Sequence, residues 1–162
     1  MPFTPFHFGL GLAAKAVAPR CFSLVLFVSL QVVIDLESLY NLVRDRDPVH
    51  RFLHTFIGAT LLAVVSALIG LPVATRLRPP LGRTPARRFS LLLAMALFAT
   101  WSHVVLDGIM HRDIRPFRPF TDRNPLRGVI GLGALHGGLI LLGLIGLIVI
   151  AFRRPSSEDT RR

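Results

Sequence analysis

The stretch Thr84 to His111, TPARRFSLLLAMALFATWSHVVLDGIMH, decides how the rest of the chain is read. It opens on a residue that caps helices, followed by a proline suited to the first helical position, where no hydrogen bond is lost. Arg87 and Arg88 follow, then an apolar run from Phe89 to Trp101, and then His103 and Asp107 within a segment that stays apolar to Met110. At 1.5 Å per residue the segment is long enough for a hydrocarbon layer of about 30 Å. A basic start, an apolar middle and two ionisable groups near the far end describe a membrane helix carrying chemistry at one end.

Working outward, a capping residue followed by proline recurs at Thr4-Pro5, Asp47-Pro48 and Asn124-Pro125. These dipeptides predict a short first helix ending near Pro19, a third from Pro48 to about Leu71 closed by Pro72, and a fifth from Pro125 to about Arg153. A second helix runs from about Phe22 to Val43, and the fourth is the opening stretch, Pro85 to about His111. The first, of about 14 residues, would reach only roughly 21 Å, and is expected to pack beside helix two. The fold class expected is all-α: a polytopic transmembrane helical bundle with one short N-terminal helix and four spans. Residues 1–153 form a single domain, and 154–162 a polar tail.

Composition agrees. The 162 residues are 52% hydrophobic and 17% charged, with 19 Lys and Arg against 9 Asp and Glu, a net charge of +10. Such apolar content excludes a disordered linker. The arginines lie between the apolar runs, not along one amphipathic face, so no nucleic-acid partner is expected. A single cysteine, Cys21, forms no internal disulfide and no cysteine zinc site. No secretory signal is expected, because nothing basic precedes the first apolar stretch, which Pro2 and Pro5 interrupt. Eleven of the basic residues fall at one end of the predicted helices and eight at the other, which by the positive-inside rule puts the N-terminus outside.

Ionisable residues inside apolar spans are costly and mark function by default. Asp35 lies about 12 Å from the end of helix two, His50 and His54 about 3 and 9 Å from the start of helix three, and His7 about 3 Å from the start of helix one. His103 and Asp107 lie about 12 and 6 Å from the end of helix four. All these ends belong to one membrane side. His50 with His54, and His103 with Asp107, are i, i+4 pairs and should each share a helical face; Gln31 shares one with Asp35. Six candidate ligands, His7, Asp35, His50, His54, His103 and Asp107, exceed what one zinc takes from protein, so one or two divalent cations, with zinc favoured, are expected. Glu37 points about 200° round the helix from Asp35; it is a candidate general base, or an outer partner of the ligands or of Arg51. Arg51, with Arg115 and Arg118, is a candidate for holding an anionic group. His111 is expected at the interface, and His136 in a glycine-rich packing stripe with Gly131, Gly133, Gly137 and Gly138. Arg115 to Phe120 reads as a stiff interfacial loop, with a lid as the alternative.

Met1-Pro2-Phe3-Thr4-Pro5 with His7, Asp35-Leu36-Glu37, His50-Arg51 with His54-Thr55, and Ser102-His103 with Asp107, taken in this order, resemble the bacterial membrane-bound metal-dependent hydrolases of the inner membrane. The resemblance covers residues 1 to about 140; the family more often has aspartate where this chain has Glu37. It implies a multi-pass protein of the bacterial cytoplasmic membrane. The order His, Asp, His, His-x-x-x-Asp is more distantly similar to the zinc-dependent phospholipase C and nuclease fold, which implies His7, Asp35, His50, His103 and Asp107 as ligands and a phosphoester substrate. The reading that follows is hydrolysis of an ester or phosphoester by metal-activated water at the extracytoplasmic interface, with membrane lipid around the protein and a small or lipid-like anionic substrate. His-x-x-x-His lacks the adjacent glutamate of metalloprotease helices. Two alternatives stay open: a small metal-ion or proton transporter, and a non-catalytic membrane protein with a structural metal. Nothing in the chain indicates an oligomeric state.

Overall fold

The computed structural model describes residues 6–77 and 84–153; Thr4-Pro5 and the predicted tail lie outside the described residues. Five helices follow one another: α1 (His7–Val17), α2 (Leu24–Val43), α3 (Phe56–Leu77), α4 (Pro85–Met110) and α5 (Leu132–Phe152). No strand occurs among the described residues. Three helices, α2, α4 and α5, are long and apolar enough to cross a membrane. The apolar part of α3, Phe56–Pro72, is shorter, so the expected count of four spans reduces to three that meet the requirement.

The capping rule holds where the cap's side chain reaches the helix. Thr84 accepts a hydrogen bond from the Arg87 amide at 3.3 Å, and Ser23 accepts from Leu26 at 3.2 Å, starting α2 two residues later than Phe22. At Asp47-Pro48 the expectation fails. The α3 helix begins at Phe56, and Thr55 Oγ1 caps it by accepting from Gly58 at 3.0 Å. The physical reason is competition for amides. Asp113 accepts from the Val49 and His50 amides, which Asp47 would have capped, and Glu37 from those of Phe52 and Leu53, which a helix would have bonded to the carbonyls of Pro48 and Val49. A second correction concerns Asn124-Pro125: Asn124 Oδ1 accepts from Leu126 while its Nδ2 donates to Gly108 O, making a turn, and α5 begins only at Leu132. Pro72 lies inside α3 and does not end it; a proline removes one hydrogen bond, and apolar helices tolerate that loss inside their length.

Packing brings one end of the bundle together. On α3, Ala59, Ala63 and Ala67 recur every four residues and are fully buried, as are Ala96 and Ala99 on α4. Small side chains at this spacing let two helix backbones approach closely, which draws the start of α3 toward His103 on α4. Phe22, Phe27, Leu30, Ala63, Ala96 and Ala99 form an apolar cluster at the opposite end. The first helix packs chiefly on α5, not on α2 as expected. A Cβ at Gly9 would lie 2.0 Å from Leu139 O, and one at Gly146 would lie 2.7 Å from the Leu12 carbonyl carbon. Glycine is required at this crossing, whereas Gly131, Gly133, Gly137 and Gly138 have no neighbour a Cβ would meet. The stripe expected around His136 is therefore not where the helices touch; His136 instead stacks on Phe6 at 4.2 Å.

Candidate metal centre

Above the apolar cluster lies a buried polar layer. From α2, Gln31, Asp35 and Ser38 share one face; α4 supplies His103 and Asp107, the first turn of α1 supplies His7, and the segment before α3 supplies His54. All seven are at most 5% exposed. One ligand atom from each of Asp35, His54, His103 and Asp107 lies within 4.8 Å of the others, so the four could hold a metal ion.

The distances favour a cation over direct hydrogen bonds. His103 Nε2 lies 3.4 Å from Asp35 Oδ1 and 3.3 Å from Asp107 Oδ2, and His54 Nε2 lies 3.5 Å from the same Asp107 oxygen. Hydrogen bonds between nitrogen and oxygen run about 2.7–3.2 Å. Donors placed tetrahedrally around a cation at bond lengths of about 2.0–2.1 Å stand about 3.4 Å apart. Three of the six edges of such a tetrahedron are thus present at the right length.

Protonation points the same way. Gln31 Nε2 donates to Ala99 O at 3.0 Å, which turns its Oε1 toward His103 Nδ1, 2.5 Å away. Gln31 Oε1 is an acceptor, so His103 Nδ1 donates to it, and Nε2 is left facing two carboxylates with no hydrogen-bond partner. Glu37 Oε2 lies 3.6 Å from His54 Nδ1, an electrostatic neighbour and not a hydrogen-bond partner. His7 Nδ1 and Nε2, His54 Nδ1, His103 Nε2 and Asp107 Oδ1 are buried without hydrogen-bond partners. Each unsatisfied buried group costs about 1–3 kcal/mol, and a cation among them would satisfy several at once. Asp107 faces two ways: Oδ2 toward His54 and His103, Oδ1 toward His7 Nε2 at 3.2 Å.

The structure thus brings together five of the six candidate ligands read from the sequence: Asp35, His54, His103 and Asp107 in one group, with His7 beside Asp107. His50 stands one step aside. It does not share a helical face with His54, since both precede α3, though their rings are 4.6 Å apart. Its Nδ1 lies 2.8 Å from Asp113 Oδ2 and its ring 4.5 Å from that of His111. Burial and the neighbouring His54 pull the His50 imidazole below its ordinary pKa, against the pull of Asp113. Burial also lowers His111. For Asp113 burial acts upward, but the bonds from the His50 amide and ring outweigh it and hold the carboxyl below its usual range.

Both oxygens of Glu37 are engaged, at 3.1 Å from Phe52 N and 2.8 Å from Leu53 N, and Glu37 adjoins the centre only through His54. Arg51 is exposed and donates to Pro48 O and Asp47 O within its own loop. Arg115 likewise donates to Arg112 O and Ile114 O, and Arg118 pairs with Asp122. The loop containing them is pinned, with Ile114 and Pro116 fully buried and Pro116 O accepting from Phe56 N at 2.9 Å. Gln31 as an orienting group, Ser38, and Asp113 as the partner of His50 were missed. A glutamine four residues before Asp35 inside an apolar span was a usable signal for the first; no spacing rule links residue 113 to residue 50. No family model, no curated protein and no solved structure matches this chain.

Proposed function

We propose that this chain is a metal-dependent hydrolase embedded in the bacterial inner membrane, acting on an ester or phosphoester of a lipid-like anionic substrate at the extracytoplasmic interface. The observation that carries this reading is the unpartnered His103 Nε2 between Asp35 and Asp107, in a buried group whose four ligand atoms lie within 4.8 Å of one another. The family resemblance of the motifs around His7, Asp35, His54 and His103 supports the reaction class.

Asp35, His54, His103 and Asp107 would hold the cation, with zinc favoured by the nitrogen and oxygen donor set. When bound, such a cation lowers the pKa of coordinated water toward about 7 and polarises the scissile ester. The chain's own residues do the rest. Gln31 orients His103 so that Nε2 faces the centre, and Glu37 braces the loop that carries His54. Glu37 acts as a positioning residue, because both its oxygens are engaged by amides. Asp107 Oδ1 and His7 stand where a proton or a second positive charge is accommodated. The exposed cations Arg46, Arg51, Arg112 and Arg123 at the same end of the bundle attract an anionic headgroup.

The apolar cluster below the centre argues against the transport alternative. An ion path needs polar groups continuing toward the other side, and Phe27, Leu30, Ala63, Ala96 and Ala99 stand there instead. The test is hydrolysis of bis(p-nitrophenyl) phosphate and p-nitrophenyl butyrate by detergent-purified protein reloaded with Zn2+. Turnover lost in His103→Ala, with metal loss and an unchanged gel-filtration profile, is the expected result. Bound metal with no turnover of either ester, together with vesicle flux abolished by His103→Ala, would replace the hydrolase by a transporter.

A further inference from the structure

We propose that His50 and His111, with Asp113 holding His50 from behind, form a second divalent-cation site, beside the first and sharing no side chain with it. The three each offer a ligand atom, all within 4.8 Å of one another. Asp113 Oδ2 accepts from the Val49 amide (3.1 Å), the His50 amide (3.1 Å) and His50 Nδ1 (2.8 Å). One carboxylate thus fixes both the loop backbone and the imidazole of the same residue, with the ring proton on Nδ1. A carboxylate behind an imidazole in this way orients the opposite nitrogen toward a metal and makes it more basic. That nitrogen, His50 Nε2, is buried and has no hydrogen-bond partner, on a side chain only 6% exposed.

A structural role alone does not account for it. A histidine that only braced the loop would need Nδ1, and Nε2 would sit against water or a donor. The second imidazole comes from the end of α4: His111 caps that helix, its amide bonded to Asp107 O at 2.8 Å, and its ring lies 4.5 Å from that of His50 at 30°. A helix C-terminus carries partial negative charge, which favours a cation there. Two imidazoles, one of them held by Asp113, leave coordination positions open, as in sites where a metal meets water or substrate rather than closing a fold. His111 and Asp113 are each partly exposed, unlike the enclosed group of four. The rings of His50 and His54 are 4.6 Å apart, so the two positions adjoin, as in paired-cation sites that grip the attacking and leaving oxygens of one phosphoester. This inference rests on the proposed function for that last role only; the binding of a cation stands by itself.

The experiment uses full-length protein in detergent, stripped with chelator, reloaded with Co2+ and desalted. Bound metal is counted by elemental analysis, and ligand-field absorption is recorded. Wild type should retain about two equivalents, His111→Ala about one, and His103→Ala about one, with different Co2+ spectra in the two variants. His111→Gln and Asp113→Asn serve where His111→Ala does not fold, and are expected to lose the same equivalent. One equivalent in wild type, unchanged in the His111 and Asp113 variants and lost in His103→Ala, would overturn the second site and leave the first intact. One equivalent lost in the His111 variant and retained in His103→Ala would overturn the first and support the second. No retained Co2+ in wild type would overturn both.

Discussion

Replacing Gln31 by leucine tests whether the buried histidines are held ready for a cation. Gln31 is 2% exposed, donates to Ala99 O at 3.0 Å and accepts from His103 Nδ1 at 2.5 Å. Leucine fills nearly the same volume but offers no acceptor. In the metal-free variant the His103 proton moves to Nε2, where Asp107 Oδ2 at 3.3 Å and Asp35 Oδ1 at 3.4 Å wait to accept it. The apoprotein should therefore lose little stability, because about 1 kcal/mol of hydrogen bond is exchanged for another. A cation must now displace that proton and bind an imidazole with no orienting partner. Loss of such outer contacts typically costs about 10–100-fold in metal affinity, equal to about 1.4–2.8 kcal/mol. Competition of the purified protein against a chromogenic Zn2+ chelator measures this directly. Gln31→Glu keeps an acceptor for His103 Nδ1 but gives up the donor to Ala99 O, and should fall between wild type and Gln31→Leu. If Gln31→Leu binds Zn2+ as tightly as wild type while His103→Ala binds none, the tautomer argument is wrong.

Three further outcomes follow from the same geometry. Asp107→Asn should abolish high-affinity Zn2+ retention, by about 100-fold or more, yet its metal-free form should unfold at a temperature no lower than that of metal-free wild type. The amide can donate to His103 Nε2, which has no hydrogen-bond partner in the metal-free protein; a clearly lower melting temperature would count against unpartnered nitrogens at this site. Glu37→Ala frees the Phe52 and Leu53 amides and should destabilise the loop before α3 by about 1–3 kcal/mol, read as faster hydrogen exchange at residues 49–55, with Glu37→Gln recovering part of it. Gly146→Val places a branched side chain where even a Cβ would meet the Leu12 carbonyl carbon at 2.7 Å; about 1–3 kcal/mol of thermal stability in detergent should be lost, whereas Gly137→Val should cost far less.

The apolar runs, their lengths and the polar residues inside them were local properties, and the sequence alone sufficed to predict an all-helical bundle with buried His and Asp residues gathered together. Position along a helix depends only on rise per residue, which is why Asp35, His103 and Asp107, read from α2 and α4, do meet. The same arithmetic misplaced His50 and His54, because Asp47-Pro48 carries a capping pattern whose amides are taken by Glu37 and Asp113 from distant parts of the chain. A capping rule sees only neighbours; it cannot register a carboxylate arriving from sixty residues away. Which helix α1 rests on was likewise undecidable in one dimension, since several glycines were available and it is Gly9, Gly143 and Gly146 that meet backbone across the crossing of α1 and α5. The pairing of His50 with Asp113, and the way Gln31 sets the proton of His103, belong to the tertiary structure alone, because they arise where separate elements meet and leave no periodicity behind.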